Sequence, residues 1–477
     1  MALERSGLKP AKKVLWAILA KDAEEFLPLY FECLLNQTYP KSEIFLYIRT
    51  NDNSDNTADI LKEFIQEHGD KYSGIYFDEN TVDLSLKDFD RHDWNSYRLR
   101  VIGQLRQDSI NYARDLFFDY YFVSDVDNFI LPDTLESLVS LELQAVAPLL
   151  NMVIPETTSN PYENRYYSTF YAADKNFFYR ESPEVNEIVL RRKPGVHKID
   201  LIHCTYLLHC SILPKADYCI RPGNWEFMNL MLSLESQGIE RHIDARKQYG
   251  VLTLSEGIDD VRFQMKNLQS LNDRNSALNP TERAFTEIYA GGDWGYRSGS
   301  GSYPDSASEW ISYVNDLIME SSASRVLEIG CGDFRVGAEY QLNGAQYLGI
   351  DVCRTIINDN QERHTKSNIQ FQVQDFENPE FFGEWDLILI KDVLQHLPFI
   401  SIKNIVNKIC QSSRLVVFCN DHNANVFDIS VGGHRGIDLN ASPFNFGFRE
   451  VLNYGDKRVL LYRDDSSNSP YKGLDDE

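Results

Sequence analysis

The chain of 477 residues is longer than one ordinary hydrophobic core supports, so two or three domains are expected. Its hydrophobic content of 43% and aromatic content of 12% are typical of a folded globular protein. The formal net charge of −24 argues against an electrostatic nucleic-acid binder, because phosphate contact needs clustered Lys and Arg.

The first apolar run, residues 14–20, ends at Lys21. It is too short to span a membrane, which takes about 18 apolar residues, and no cleavage-site pattern follows it. We therefore predict a buried strand here rather than a signal peptide. No other stretch reaches spanning length, so we expect no transmembrane segment and a cytoplasmic location.

The first part of the chain alternates strand and helix patterns, which predicts a mostly parallel sheet with ligands at its carboxyl edge. Predicted strands lie at residues 14–20, 44–49, 75–77 and 120–124, with short ones at 145–147, 201–203 and 242–244. Predicted helices lie at residues 23–36, 57–68 and 98–116.

A polar stretch at residues 257–283 predicts a linker between a domain at 1–256 and a domain at 284–463. Strands are predicted again at residues 325–329, 347–350, 369–373, 387–390, 415–418 and 459–462. The polar tail, residues 464–477, is expected to be disordered. The sequence thus predicts an α/β protein with two domains.

Two carboxylates, Asp125 and Asp127, follow the predicted strand at residues 120–124. Residues two apart at a strand end project to one side and can share a divalent cation. A metal held there can neutralise a nucleotide-sugar pyrophosphate as the leaving group. The alternative interpretation is a pair of turn or capping carboxylates.

Ordered stretches over residues 13–255 resemble the procollagen galactosyltransferase family. They lie at residues 17–22, 55–57, 105–107, 122–128, 146–148, 203–205 and 248–250. The resemblance implies the GT-A fold of nucleotide-sugar transferases and an inverting transfer of a hexose from a UDP-sugar.

The resemblance also implies ligand residues. Asp125 and Asp127 match the carboxylates that hold Mn²⁺ or Mg²⁺, and His203 matches a third ligand, which suits Mn²⁺ somewhat better. His203 read alone is a hydrogen-bonded core histidine. The implied nucleotide-sugar contacts are Lys21, Asp22, Asn51 or Asp52, Arg106 and Asp125. Arg106 either contacts the phosphates, orients Asp125 or forms a helix-surface ion pair.

A departure from the family occurs at Trp225-Glu226, where the family carries two acidic residues. An inverting transfer needs a base for the acceptor hydroxyl, and Glu226 is the candidate. The alternative is a carboxylate that the helix dipole favours at a helix start. Trp225 either stacks on an acceptor sugar or packs in the core.

A second motif, Glu328-x-Gly330-x-Gly332, follows a predicted strand. A dinucleotide site would want a third glycine where Arg335 stands. Residues 284–463 instead resemble class I methyltransferases. The resemblance implies that Glu328, Gly330 and Gly332 contact S-adenosylmethionine, that Asp351 takes the ribose hydroxyls, and that Asp375 accepts from the adenine amino group.

The methyl-transfer cleft is expected beside residues 391–397, with Asp392 and His396 as candidate catalytic residues. His434 is a second candidate base, since histidine titrates near neutrality. The Gly/Ser run at residues 298–302, after Trp294, predicts an ordered flap over the cofactor. O-methylation is the favoured reaction.

Together these motifs predict a bifunctional enzyme that transfers a sugar and methylates a glycan-type acceptor, such as a cell-surface or lipopolysaccharide-like glycan. The alternative is a methyltransferase fused to a GT-A-like glycan-binding module that has lost turnover. A third interpretation treats both sites as remnants in an assembly scaffold.

Overall fold

The computed structural model describes residues 12–82, 95–153, 167–253, 257–273, 278–375 and 385–464. The chain divides into two compact units, Met1–Leu268 and Gln269–Glu477. This division falls inside residues 257–283, the predicted linker, although helices occupy most of the described part of that range. Residues 274–277 of the predicted linker and 465–477 of the predicted tail lie outside the described residues.

The first unit contains thirteen of the named strands and six helices, with a seventh helix across the division. The strands are β1 (Val14–Ala20), β2 (Ile44–Thr50), β3 (Gly74–Asp78), β4 (Tyr120–Ser124), β5 (Asn128–Ile130), β6 (Ala145–Pro148), β7 (Leu150–Met152), β8 (Phe170–Tyr171), β9 (Val196–Ile199), β10 (Leu201–Ile202), β11 (Thr205–His209), β12 (Arg241–Asp244) and β13 (Gly250–Leu252). The helices are α1 (Leu27–Leu35), α2 (Thr57–His68), α3 (Ser96–Asp115), α4 (Thr134–Ser140), α5 (Pro183–Val189), α6 (Glu226–Glu235) and α7 (Ile258–Asn272).

An eight-stranded sheet in the order β3-β2-β1-β4-β11-β6-β12-β9 forms the centre of the first unit. β3, β2, β1 and β4 are parallel, so their carboxyl ends meet at one edge. β11 runs antiparallel to β4, with Thr205 opposite Ser124. The residues just before β11 therefore lie beside those just after β4. Two small sheets, β5-β13-β7 and β10-β8, complete the unit.

A buried hydrogen-bond chain fixes the end of β4. The apolar strand β1 is buried along almost its whole length and carries Trp16, whose Nε1 donates to the Tyr30 hydroxyl at 2.9 Å. That hydroxyl donates in turn to the backbone carbonyl of Ser124 at 3.0 Å. Because buried polar groups are costly without partners, this chain orders the strand end that precedes Asp125.

The second unit is a seven-stranded sheet with helices between its parallel strands, in the order β16-β15-β14-β17-β18-β20-β19. The first five strands in that order are parallel, and β20 and β19 add an antiparallel edge. The strands are β14 (Arg325–Ile329), β15 (Gln346–Asp351), β16 (Ile369–Val373), β17 (Leu387–Lys391), β18 (Leu415–Asp421), β19 (Arg449–Tyr454) and β20 (Lys457–Arg463). The helices are α8 (Pro280–Gly291), α9 (Ser308–Ser321), α10 (Arg354–His364) and α11 (Phe399–Ser412).

The predicted α/β class is confirmed in both units, and β1, α2, β4, β14 and β16 have the predicted bounds. The strand predicted at residues 201–203 is one residue too long, because β10 ends at Ile202. The backbone leaves the extended conformation at His203-Cys204, where Cys204 has a φ of 61°. It becomes extended again in β11. Among the described helices, none combines the length and apolar composition that a membrane crossing requires.

Candidate functional site

A cavity of about 520 Å³ lies where β1, β2 and β4 end in the first unit, beside α3 and the start of α6. It collects most of the predicted nucleotide-sugar and metal residues, namely Lys21, Asp22, Asn51, Arg106, Asp125, Asp127, His203 and Glu226. Asp52 lies outside this lining, and its carboxylate accepts from the backbone N–H of Val82 at 3.1 Å. Of the two alternatives left open at this position, Asn51 is the one that faces the cavity.

Backbone hydrogen bonds hold the turn that carries the two aspartates. The N–H of Asp125 donates to the carbonyl of Cys204 at 3.1 Å, and the carbonyl of Asp127 accepts from Thr253 at 3.1 Å. Because β4 ends in the cavity and β5 starts only at Asn128, both side chains line its wall. The turn is therefore anchored on both sides by neighbouring segments.

The buried Arg106 guanidinium, from α3, bridges two carboxylates of the cavity. Its Nη2 contacts Oδ1 of Asp125 at 2.5 Å, and its Nε lies 3.5 Å from Oε1 of Glu226. Burial opposes the charged form of Arg106, yet Asp125 and then Glu226 raise its pKa well above the usual range. The helix-surface interpretation of Arg106 is wrong, since only 9% of the side chain is exposed.

Glu226 is the first residue of α6 and is buried behind Trp225. Burial raises the pKa of the Glu226 carboxyl, and the charge of Arg106 offsets part of that rise. A carboxyl with a raised pKa is better suited to take a proton than an ordinary glutamate is. Trp225 also lines the cavity, and its ring lies 5.6 Å from the ring of Phe227.

His203 is fully enclosed between β10 and β11. Its Nδ1 lies 2.7 Å from the Sγ of Cys204, and its Nε2 is buried without a hydrogen-bond partner among the described residues. Burial lowers the pKa of His203 to about 4, so the imidazole is neutral at pH 7. The rings of Tyr167, Tyr171 and Phe227 surround it at 5.4–5.6 Å.

The loop after β1 is locked to the loop after β2. Lys21 Nζ donates to the carbonyl of Asp52 at 2.6 Å, and Asp22 Oδ1 accepts from the backbone N–H of Ser54 at 2.6 Å. Burial works against the charged form of Asp22, but the Ser54 and Lys21 contacts lower its pKa overall. Both predicted residues therefore lie in the cavity as members of an ordered loop pair.

The predicted metal ligands Asp125, Asp127 and His203 share the cavity. However, no cluster of three or more His, Cys, Asp or Glu side chains in the described ranges is arranged to hold a metal ion. Arg106 contacts Oδ1 of Asp125, an atom that a cation would need, whereas Cys204 contacts Nδ1 of His203 and not its Nε2. The metal site therefore stays a prediction.

Several cavity residues were not singled out from the sequence. Tyr167, Cys204 and Phe227 line it together with Arg98. Tyr167 pairs through its carbonyl with Met152 of β7, Cys204 pairs with Asp125 after β4, and Phe227 lies in the first turn of α6. The antiparallel strand β11, which the sequence pattern did not predict, places Cys204 beside the end of β4.

In the second unit, the turn after β14 contains the predicted glycines. Gly330 and Gly332 have φ values of 71° and 52°, which favour glycine. A Cβ at Gly330 would lie 2.2 Å from Val393, and one at Gly332 would lie 2.6 Å from the Ser298 hydroxyl. Neither position accommodates a side chain, so both glycines are required by the packing of the turn.

Asp351 ends β15 and braces this turn. Its Oδ2 accepts from the N–H of Gly332 at 3.1 Å, and its Oδ1 accepts from Cys353 at 2.9 Å. Burial raises the pKa of Asp351 to about 6 despite these bonds. Asp375 lies after β16, where Asn279 Nδ2 donates to its carboxylate at 3.3 Å. Both residues thus follow neighbouring strands at one edge of the sheet.

Glu328 lies deeper than the glycines. Its Oε1 accepts from the Tyr340 hydroxyl at 3.0 Å, and its Oε2 accepts from the Tyr347 hydroxyl. Burial raises the pKa of Glu328 to about 7, although both hydrogen bonds work against the rise. These contacts support the strand, and direct contact with a cofactor stays a prediction for this residue.

The Gly/Ser run at residues 298–302 is ordered and covers the glycine turn. The Ser298 hydroxyl accepts from the N–H of Asp333 at 2.9 Å, and the carbonyl of Gly301 accepts from Lys391 Nζ at 2.8 Å. Trp294 packs beside this run against Phe285, with the ring centres 6.0 Å apart. These contacts support the predicted flap.

The three candidate residues for methyl transfer have different surroundings. Asp392 pairs with Lys391 at 2.5 Å and Lys457 at 2.6 Å. His396 is buried, its Nδ1 donates to the carbonyl of Gly433 at 2.8 Å, and burial lowers its pKa to about 4. His434 is more exposed, with Nε2 at 2.8 Å from Oδ2 of Asp421.

The model of the glycosyltransferase family 25 N-terminal domain matches residues 11–268, which is more than half of the chain. The chain belongs to glycosyltransferase family 25. A methyltransferase domain model matches residues 326–414. The glycosyltransferase-like first unit and the Rossmann-like methyltransferase second unit predicted from the sequence are thereby confirmed.

Relatives within family 25 match the first half of the chain. Human procollagen galactosyltransferase 2 is 28% identical over 267 residues, which is 52% of this chain and 41% of that protein. Procollagen galactosyltransferase 1-A of Xenopus laevis is 30% identical over 255 residues, covering 50% and 39%. The probable inactive glycosyltransferase 25 family member 3 of Bos taurus is 26% identical over 274 residues, covering 54% and 44%. The chain thus spans less than half the length of these relatives.

Solved structures show only distant likeness. S. aureus TarS 1–349 in complex with UDP-GlcNAc gives a TM-score of 0.32 at 13% identity, covering 64% of this chain and 81% of that one. Synechocystis magnesium protoporphyrin IX methyltransferase with bound SAH gives a TM-score of 0.28 at 14% identity. The match covers 34% of this chain and 84% of that one. Likeness at these TM-scores does not bear on function.

The buried carboxyl of Glu328 makes the stability of the second unit depend on pH. Its pKa rises from 4.5 in the unfolded chain to about 7 in the fold, so the folded state binds the proton more tightly. The corresponding stability is full below pH 4.5 and is lost as pH rises through 7, by at most about 3 kcal/mol. Glu328→Gln should remove this loss, because an amide cannot ionise.

Urea unfolding at pH 5 and pH 8 measures the effect, with Glu339→Gln, an exposed glutamate of the same unit, as the control. The transition of the second unit is assigned by its shift on adding S-adenosylhomocysteine. An equal pH dependence in Glu328→Gln and the unsubstituted protein would contradict the shifted carboxyl.

Proposed function

We propose that this chain is a bifunctional transferase, which moves a hexose from a UDP-sugar and a methyl group from S-adenosylmethionine to a glycan-type acceptor. The observation that carries the proposal is the meeting of Asp125, Asp127 and Glu226 in one cavity of a family 25 domain. The methyltransferase half rests on the glycine turn and Asp351 inside a methyltransferase domain. The cytoplasm remains our proposal for its compartment.

The donor end of the cavity is our proposed binding place for a divalent cation and a nucleotide. Two carboxylates lie beside His203, whose buried Nε2 lacks a partner among the described residues. Asp125, Asp127 and His203 would hold Mn²⁺ or Mg²⁺, which would offset the charge that develops on the departing diphosphate. Lys21 and Asn51 line the part of the wall that follows β1 and β2, where the nucleoside is proposed to bind.

The acceptor end of the cavity is assigned to Glu226 and Trp225. Glu226 takes the proton of the acceptor hydroxyl while that oxygen attacks the anomeric carbon and the bond to the diphosphate breaks. The Trp225 ring offers an apolar face on which a sugar ring can stack. Inversion follows from one direct displacement with no covalent sugar–protein intermediate.

In the second unit, the proposed cofactor site uses the turn of Gly330 and Gly332 and the carboxylate of Asp351. Because glycine has no side chain, the backbone of this turn can approach a ligand closely. S-adenosylmethionine, when bound, supplies an electrophilic methyl group. Asp351 holds the ribose hydroxyls and Asp375 the adenine amino group, while the run at residues 298–302 excludes water.

Geometry favours His434 over His396 as the base of O-methylation. His434 Nε2–H donates to Asp421, which leaves Nδ1 as the free acceptor, and Lys457 holds the other Asp421 oxygen at 2.6 Å. His396 is buried and its pKa of about 4 makes it a weak base. Asp392 serves this arrangement indirectly, because it pairs with the same Lys457.

A second candidate function keeps methyl transfer and makes the first unit a glycan-binding module without turnover. Two observations favour it: relatives named as inactive are among the matches, and Trp225 replaces one carboxylate of the family's acidic pair. Donor turnover separates the two functions.

Release of UDP from UDP-galactose or UDP-glucose should require Mn²⁺ or Mg²⁺ and stop with EDTA. Asp127→Asn should lower this release by about 100-fold or more, because the amide keeps the shape but loses the charge that retains a cation. Asp59→Asn, an exposed aspartate of α2, is the matched control. Unimpaired release by Asp127→Asn in metal-free buffer would overturn the metal assignment. If the unsubstituted protein binds UDP but releases none from either UDP-sugar, the glycan-binding module without turnover is favoured.

Asp351→Ala should weaken binding of S-adenosylmethionine by about 2–4 kcal/mol, the scale of two hydrogen bonds to a charged group. Asp351→Asn keeps the shape and one acceptor oxygen, so a smaller loss is expected. Calorimetric titration measures both. Tight binding of NAD by the unsubstituted protein, with no heat from S-adenosylmethionine, would overturn the cofactor assignment.

His434→Gln should lower methyl transfer by about 100-fold with S-adenosylmethionine affinity unchanged, on the scale of a lost general base. His396→Gln should lower the rate less. The assay follows tritiated methyl transfer to a panel of simple galactosides and glucosides. A large loss in His396→Gln with a normal rate in His434→Gln would reverse the assignment.

A further inference from the structure

Arg106 bridges two carboxylates at the place where the donor and its cation are proposed to bind. One guanidinium contacts Asp125 at 2.5 Å and approaches Glu226 at 3.5 Å. Its side chain is 9% exposed, and that of Glu226 is 11% exposed, so water screens these charges weakly. The positive charge at the proposed cation site is thus supplied by the chain itself.

A divalent cation and this guanidinium cannot both use Asp125 Oδ1 at contact distance, because the two positive charges would lie a few ångströms apart in a poorly screened site. Glu226 offers Arg106 an alternative carboxylate, already within 3.5 Å of its Nε. A bound diphosphate would offer a further anionic partner, and guanidinium pairs well with phosphate oxygens.

We propose that Arg106 competes with the divalent cation for Asp125 and yields that carboxylate when the diphosphate of the donor binds. Arg106 is then a positioning residue that makes cation and donor bind together and keeps the cation affinity of the empty cavity low. The inference rests on the proposed function in taking Asp125 as a cation ligand and a nucleoside diphosphate as the donor group.

Thermodynamic linkage makes the idea measurable. If the diphosphate moves Arg106 away from the cation site, the diphosphate raises the affinity for the cation. The cation then raises the affinity for the diphosphate by the same factor. The opposite role, in which Arg106 orients Asp125 for the cation, predicts weaker cation binding when Arg106 is removed. Removal of Arg106 therefore strengthens cation binding if Arg106 competes for Asp125 and weakens it if Arg106 orients Asp125.

The experiment measures free Mn²⁺ by electron paramagnetic resonance during titration of the full chain, with and without UDP. Arg106→Gln should bind Mn²⁺ about tenfold more tightly than the unsubstituted protein in the absence of UDP, and UDP should enhance its Mn²⁺ affinity less. Arg98→Gln is the matched control, since it removes the same charge from α3 and the same cavity. That control should change Mn²⁺ affinity much less.

A double variant, Arg106→Gln with Glu226→Gln, removes one charge of each sign and keeps the net charge of the cavity. The double variant leaves no unpaired charge on Glu226, which could cause Arg106→Gln alone to misfold. It should bind Mn²⁺ more tightly than the unsubstituted protein does. Mn²⁺ binding by the double variant that is equal to or weaker than that of the unsubstituted protein would overturn the proposal. Tighter Mn²⁺ binding by the double variant, together with no UDP release from UDP-galactose by the unsubstituted protein, would keep the proposal and reject the transfer reaction instead.

Discussion

The buried guanidinium of Arg106 allows the carboxylates of Asp125 and Glu226 to share one cavity, because it contacts the first and approaches the second. Two carboxylates in such a place repel each other and lose their hydration, so one of them would otherwise bind a proton. Arg106 compensates both from the middle of α3, a helix whose start is capped by the side chain of Asn95. The proposed nucleotide-sugar site, the proposed base and the proposed cation exchange all depend on the charge of Arg106.

In the second unit, two buried carboxylates are stabilised by neutral hydrogen-bond donors. Its acidic residues, Glu328 and Asp351, are satisfied by tyrosine hydroxyls and backbone N–H groups, and burial raises the pKa of both carboxyls. Such a site suits the proposed ribose, a neutral hydrogen-bonding group, whereas the ion pair of the first site suits the proposed charged phosphates. Both use the carboxyl edge of a parallel sheet, where strand ends leave polar groups to be filled by ligands.

The sequence predicted the parallel parts of both sheets well, because β1, β4 and β14 are continuous apolar runs bounded by polar residues. Asp125 and Asp351 therefore lie at the predicted edges. The short strand β11 carries no clear period and forms through pairing with β4 and β6, which is why Cys204 just before it was not anticipated. The partners of Arg106, the depth of Glu328 and the exposure of His434 depend on tertiary contacts between distant segments, and no local pattern encodes those.

A crystal structure of the full chain with UDP, Mn²⁺ and S-adenosylhomocysteine would test the central claim most directly, which is that each unit holds its own ligand at its own sheet edge. We expect the UDP diphosphate beside Asp125 and Asp127, the Arg106 guanidinium turned from Asp125 toward phosphate or Glu226, and the S-adenosylhomocysteine ribose on Asp351. Ligands bound elsewhere, or a guanidinium still on Asp125 with Mn²⁺ and UDP present in the cavity, would contradict the account.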